Sequence, residues 1–145
     1  MTDGASIEIT VPRSFRSAPE RVFSAWIDPA MARRFLFATK AGTIVACEID
    51  ARAGGAYRIV DRRDGGDVEH VGTYREVAAP RRLAFTLRVP KYAAGSTDVA
   101  VDIAAETGGA ALVLTHAPVP AENAERVENG WRMILDALAD VLGER

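Results

Sequence analysis

Six short strand-like segments follow one another in this chain, and no connection between them is long enough for a crossover. They are "TIVACEID" (43–50), "GAYRIVDR" (55–62), "VEHVGTYREV" (68–77), "RLAFTLRV" (82–89), "TDVAVDIAAE" (97–106) and "AALVLTHA" (110–117). Gly54-Gly55, Asp64-Gly65-Gly66-Asp67, Ala79-Pro80, Gly95 and Gly108-Gly109 separate them, all turn chemistries. Parallel pairing needs a crossover of about a dozen residues or more, so these connections predict antiparallel hairpins. A seventh strand precedes the six. In "SIEITVPRSF", Ile7, Ile9 and Val11 fall on one side and Glu8 and Thr10 on the other, the period of a half-buried strand.

Between the first strand and the rest the period changes. Ser17 and Glu20 stand at capping-box spacing with Pro19 in the first turn, and Val22, Phe23 and Trp26 make an apolar stripe that stops at Asp28-Pro29. Asp28 predicts the cap of a second short helix, "PAMARRF", with Pro29 at its first position. The chain ends on "GWRMILDALADVL", where Val127, Trp131, Ile134, Leu135, Leu138 and Leu142 share one helical face and Glu128, Arg132, Asp136 and Asp140 the other. A helix over residues 121–142 is roughly 32 Å long, and seven strands span roughly 29 Å. One helix therefore reaches across the whole sheet. The fold predicted is α+β, a curved seven-stranded antiparallel sheet around a long C-terminal helix, in the order β-α-α-β6-α. Such a sheet cannot touch the helix evenly, and the remaining space is filled by side chains or by something bound. Gly130 costs about 1 kcal/mol of helix propensity, which suggests a close backbone approach beside an inward-facing Trp131.

At 145 residues the chain is most simply one domain, 1–145. Its net charge of -2 comes from interspersed residues, without the basic run that nucleic acid or an anionic membrane requires. No apolar stretch approaches a membrane span, and "MTDGASIEIT" lacks the pattern of a signal peptide, so the expected location is cytoplasmic. A single cysteine, Cys47, excludes an internal disulfide and a multi-cysteine metal site, and its apolar setting predicts a small buried residue. Gly54-Gly55 leads into a strand rather than a helix and is no phosphate loop; "DRRDGGD" lacks the length and closing glutamate of a calcium loop and reads as a hairpin turn. No cofactor and no metal is expected. His70 and His116 have no acid-base or metal-ligand pattern beside them, and both read as structural histidines.

The blocks "SAPERVFSAWIDPAMARRF", "GGAYRIVDRRDGG", "GTYREVAAPRRLAFTLR", "ALVLTHAPVP" and "GWRMILDALADVL" resemble, in order, the signatures of the heat-shock protein 90 ATPase activator-like family of the START-like or SRPBCC superfamily. The resemblance implies a helix-grip fold with a hydrophobic cavity under the C-terminal helix. It also implies relatives that bind or act on lipids, polyketides and other apolar molecules, and a name tied to stress response. Three positions depart from the pattern: Phe35 and Leu87 stand where members often carry tryptophan, and Val127 where a histidine is frequent. No role of that histidine carries over.

The function expected is binding of a small apolar or amphipathic molecule, with no catalytic residue assigned. Candidate lining residues are Trp26, Phe37, Tyr57, Ile59, Tyr74, Phe85, Val101, Leu114, Trp131, Ile134 and Leu135. Arg58, His70, Tyr74 and His116 are the polar groups expected to orient a ligand. Two alternatives stand beside it. One is a cofactor-free cyclase or aromatase, in which His70, Tyr74 or His116 moves a proton. The other is a chaperone accessory or protein-binding module, and a homodimer is also left open. A large closed cavity with a polar pair at its end favours catalysis, a cavity without one favours binding, and a filled core with an exposed apolar patch favours a protein partner.

Overall fold

The computed structural model describes residues 5–144. Residues 1–4, part of the stretch read for a targeting signal, and residue 145 lie outside it. β1 (Ser6–Phe15) leads into α1 (Pro19–Ile27) and α2 (Pro29–Ala32). Then come β2 (Thr43–Ile49), β3 (Ala56–Arg63), β4 (Gly66–Ala78), β5 (Arg82–Leu87), β6 (Thr97–Glu106) and β7 (Gly109–Pro120). A 3-10 turn at Ala121–Asn123 precedes α3 (Ala124–Val141). All neighbouring strands are antiparallel, in the order β1-β7-β6-β5-β4-β3-β2. The hairpins run in sequence from β2 to β7, and β1 closes on the far side of β7. β1 and β2 are thus opposite edges, and the α1–α2 link must traverse the sheet to join them.

That link and α3 share the concave face. The backbone of α3 comes close to β1 and β7 and stands off from the middle strands, so it does not cross all seven evenly. Side chains fill the difference. Trp26 and Phe23 of α1, Phe35, Phe37, Tyr57, Tyr74, Phe85 and Trp131 are all buried in one apolar core. The curvature of the sheet leaves a wedge between its middle strands and the helices, and aromatic rings are the side chains large enough to fill it.

Some local expectations are corrected. Ser17 does not cap α1: the N-cap is Ala18, without a side-chain hydrogen bond. Instead the Ser17 hydroxyl donates to Glu144 Oε2 at 2.6 Å, Arg16 N–H donates to Glu144 Oε1 at 2.7 Å, and Arg21 Nη1 donates to Leu142 O at 2.9 Å. The partner that Ser17 finds is 127 residues away, and it fastens the end of α3 to the β1–α1 corner. Burial works to raise the Glu144 carboxyl, yet the donors of Ser17 and Arg16 hold it below its ordinary value. Asp28 does cap α2, accepting from Ala30 N–H at 3.0 Å. Ile7 is exposed although Ile9 and Val11 are buried, and the register with β7 shifts between Ile7 and Ile9.

Gly130 is the third correction. A Cβ built there meets nothing within 4 Å, so no close approach demands glycine. Gly130→Ala should therefore stabilise the protein by about 0.5–1 kcal/mol, raising Tm by about 2–4 °C. Thermal unfolding of the variant checks this, and a fall in Tm would restore the close-approach reading. Among the described residues no helix is long and apolar enough to cross a membrane.

Candidate functional site

Strand parity decides what faces the wedge. On β3, Tyr57, Ile59 and Asp61 point inward, whereas Arg58 lies on the other face and pairs with Glu69 and Glu48 across the neighbouring strands. Arg58 therefore orients nothing in the interior. On β4, Val68, His70 and Tyr74 are buried on the inner face, and the position between His70 and Tyr74 is Gly72. A Cβ at Gly72 would lie 1.9 Å from Thr86 O and 2.8 Å from Tyr57 Cε2. The missing side chain is what lets the Thr86 carbonyl of β5 come this close, with the Tyr57 ring beside it donating its hydroxyl to that same Thr86 O at 2.7 Å.

Around that ring an internal space remains. Trp26, Leu36, Tyr57, Tyr74, Leu83 and Phe85 line an interior region that at no point is broad enough for a water molecule. The rings meet edge-on or tilted, Tyr57 to Phe85 at 5.5 Å and Tyr57 to Tyr74 at 5.6 Å between centroids. Burial raises the Tyr57 phenol far above its ordinary value, with Tyr74 adding to the effect; burial likewise raises Tyr74, so both stay neutral. Within this set only one polar atom is both buried and unpaired. Trp26 is 1% exposed and its Nε1–H has no hydrogen-bond partner.

A second cluster closes the wedge beneath α3. Phe37 stacks on His70 with centroids 4.3 Å apart and planes within 7°, and meets Trp131 edge-on at 5.9 Å. Phe37 is also the one non-glycine residue with positive φ among the described residues, at 61°. An aromatic residue there costs about 1–2 kcal/mol, so the backbone is held in place by what the ring touches. Trp131 Nε1–H donates to His116 Nδ1 at 3.0 Å, which places the imidazole proton on Nε2, 2.7 Å from Thr97 Oγ1. Thr97 in turn donates to Leu87 O at 3.3 Å. His70 Nδ1 lies 3.3 Å from Ile59 O. Burial lowers both histidines to about 4, so both are neutral at pH 7.

Outside Phe37 the surface is polar. A groove of about 390 Å³ runs between the segment after α2 and α3, lined by Arg34, Ala38, Thr39, Lys40, Met133, Asp136, Ala137 and Asp140. The segment is latched from below by Asp61, fully buried, whose Oδ2 accepts from Thr39 Oγ1 at 2.7 Å and Arg63 Nε at 2.6 Å.

Of the fourteen residues proposed from sequence, thirteen lie in the core or against it and Arg58 lies on the outer face. Trp26, Tyr57, Tyr74 and Phe85 border the internal space, and Phe37, His70, His116 and Trp131 form the cluster beside it. Ile59, Val101 and Leu114 are core residues that do not border it, Leu135 also borders a separate cleft at Val11 and Arg13, and Ile134 is half-buried. Leu83 and Leu36 were missed as lining residues. Leu83 shares its parity with Phe85 in "RLAFTL", a signal present in the sequence, whereas Leu36 lies in an irregular stretch with none. Among the described residues no group of three or more His, Cys, Asp and Glu is arranged to hold a metal. Cys47 is half-buried, and burial raises its thiol, which favours the unreactive form.

Comparison with known proteins places this geometry. The family described as Activator of Hsp90 ATPase homolog 1-like protein matches residues 16–143. No curated protein matches the chain. Among solved structures, protein CV1439 from Chromobacterium violaceum is 27% identical, with 95% of this chain and 97% of that one aligned and a TM-score of 0.86. An AHSA1-like protein from Aeromonas hydrophila is 24% identical over 94% of this chain and 92% of its own, TM-score 0.83. CalU16 from Micromonospora echinospora is 24% identical over 94% and 76%, TM-score 0.71.

Proposed function

Because the chain belongs to the Activator of Hsp90 ATPase homolog 1-like protein family, we propose that it binds a small apolar or amphipathic molecule in the wedge between the middle strands and α3. The observation that carries this reading is the buried, largely aromatic set Trp26, Leu36, Tyr57, Tyr74, Leu83 and Phe85 gathered around one interior region. In this state the space is closed even to a water molecule, so a guest enters only as the aromatic side chains around it move apart. Phe37 is the movable wall. Leu36 borders the space, Ala38 and Thr39 border the outer groove, and the residue between them carries backbone strain. Swinging the segment at Phe37 outward, with its φ returning to negative values, relieves that strain and joins groove to wedge, giving an apolar interior and a charged mouth at Arg34 and Lys40.

Proton-transfer chemistry has less support. Both ring nitrogens of His116 are engaged, and burial holds both histidines too acidic to act as bases poised near neutrality. Fatty acids, flavonoids and polyketides titrated into the protein test the binding reading. A bound molecule should alter the fluorescence of Trp26 or Trp131 and stabilise the fold by about 2.7 kcal/mol at a hundred times its Kd. If the whole panel leaves both fluorescence and Tm unchanged, a protein-binding role takes its place.

A further inference from the structure

We infer that the indole N–H of Trp26 is the polar anchor of the wedge, and that the molecule it takes carries an uncharged oxygen acceptor, a ketone, ester or ether, on an apolar body. This rests on the binding reading above and specifies its chemistry. Buried N–H donors are paired in almost all native structures, and an orphan marks a place where an acceptor is missing. Trp26 is such an orphan, sealed from water and lining the internal space.

The surroundings narrow the acceptor further. Tyr57 cannot serve as the donor, since its hydroxyl is committed to Thr86 O. Phe35 meets Trp26 at 5.3 Å with planes 86° apart, and an aromatic face is a weaker acceptor than oxygen. Among the described residues no cation lines the space, so a carboxylate there would lose its hydration for a single N–H; the cations at Arg34 and Lys40 line the outer groove. A neutral oxygen needs only the one donor. The other tryptophan supplies an internal contrast, because Trp131 Nε1–H is already satisfied by His116.

Two probes of the same shape isolate this hydrogen bond: 2-acetylnaphthalene and 2-isopropenylnaphthalene, in which a methylene replaces the carbonyl oxygen. In the ¹⁵N-labelled full chain the ketone should move the Trp26 indole proton downfield, the alkene should not, and the ketone should bind roughly fivefold to tenfold tighter. Trp26→Phe should remove the preference. Binding of both probes with equal affinity and no change at the Trp26 indole would overturn the inference while leaving the binding reading intact. So would a ketone preference that survives in the variant. Absence of any response to either probe, at the indoles or elsewhere, would overturn both. The wild-type spectra decide the matter even if Trp26→Phe folds poorly.

Discussion

Lowering the pH from 7 to 4 should remove roughly 6 kcal/mol of unfolding free energy, about 3 kcal/mol from each of His70 and His116. Both groups have folded-state pKa values of about 4, against about 6.5 in an unfolded chain. Between those values the unfolded state binds more protons, so stability is fully present above pH 6.5 and is lost as the pH falls towards 4. Burial is the principal cause for both. At His70 the carbonyl of Ile59 and Asp61 work against it and Arg63 with it, and at His116 Asp98 works against it.

Geometry sharpens the prediction. Protonated His116 would turn an N–H at Nδ1 towards the Trp131 N–H that now donates to it, breaking the Trp131–His116–Thr97 chain. For a protein stabilised by about 5–15 kcal/mol, this approaches acid unfolding. Urea unfolding at pH 7, 5.5 and 4 measures the slope. His70→Gln and His116→Gln should each remove about half of it. Stability that stays level between pH 7 and 5, above the range where Glu144 and other carboxyls titrate, would show that the histidines are not buried as described.

Phe37→Ala should destabilise by about 3–5 kcal/mol, the usual loss for a buried phenylalanine. The more telling variant is Phe37→Gly. Glycine ordinarily costs more than alanine, but at a φ of 61° the order should reverse, with glycine about 1 kcal/mol the more stable of the two. A core residue without a gating role would show this stability pattern and nothing else. As the movable wall of a binding wedge, Phe37 should also compete with any guest, so affinity for the apolar dye Nile red should rise about tenfold in either variant. Loss of stability with unchanged dye affinity would reduce Phe37 to packing and weaken the case for the wedge.

The periodicities of the chain determined the elements and their kind. Alternating apolar residues with turn chemistry at each end marked the strands from β2 to β7, and the stripe through Trp131, Leu135 and Leu138 marked α3, because burial on one side imposes a period that can be read locally. Short connections made the sheet antiparallel for a similarly local reason. Parity was legible in principle too, as Leu83 beside Phe85 shows, and it is what turns Arg58 outward and Tyr57 inward.

What only the tertiary structure decided are the relations between residues far apart in the chain. Ser17 has capping-box spacing, yet its hydroxyl goes to Glu144, since a carboxylate brought next to it by the packing of α3 outcompetes a local backbone N–H. Thr97 and Leu87 complete the hydrogen bonding of His116, and Gly72 makes room for the Thr86 carbonyl and the ring of Tyr57, neither of which any spacing announces. Gly130 shows the converse, a residue that invites a tertiary explanation and has none within 4 Å. The strained Phe37 and the unpaired Trp26 belong to this second group as well. Strain and unpaired polar atoms are properties of how elements close on one another, and they arise only where packing holds a side chain against its own local preference.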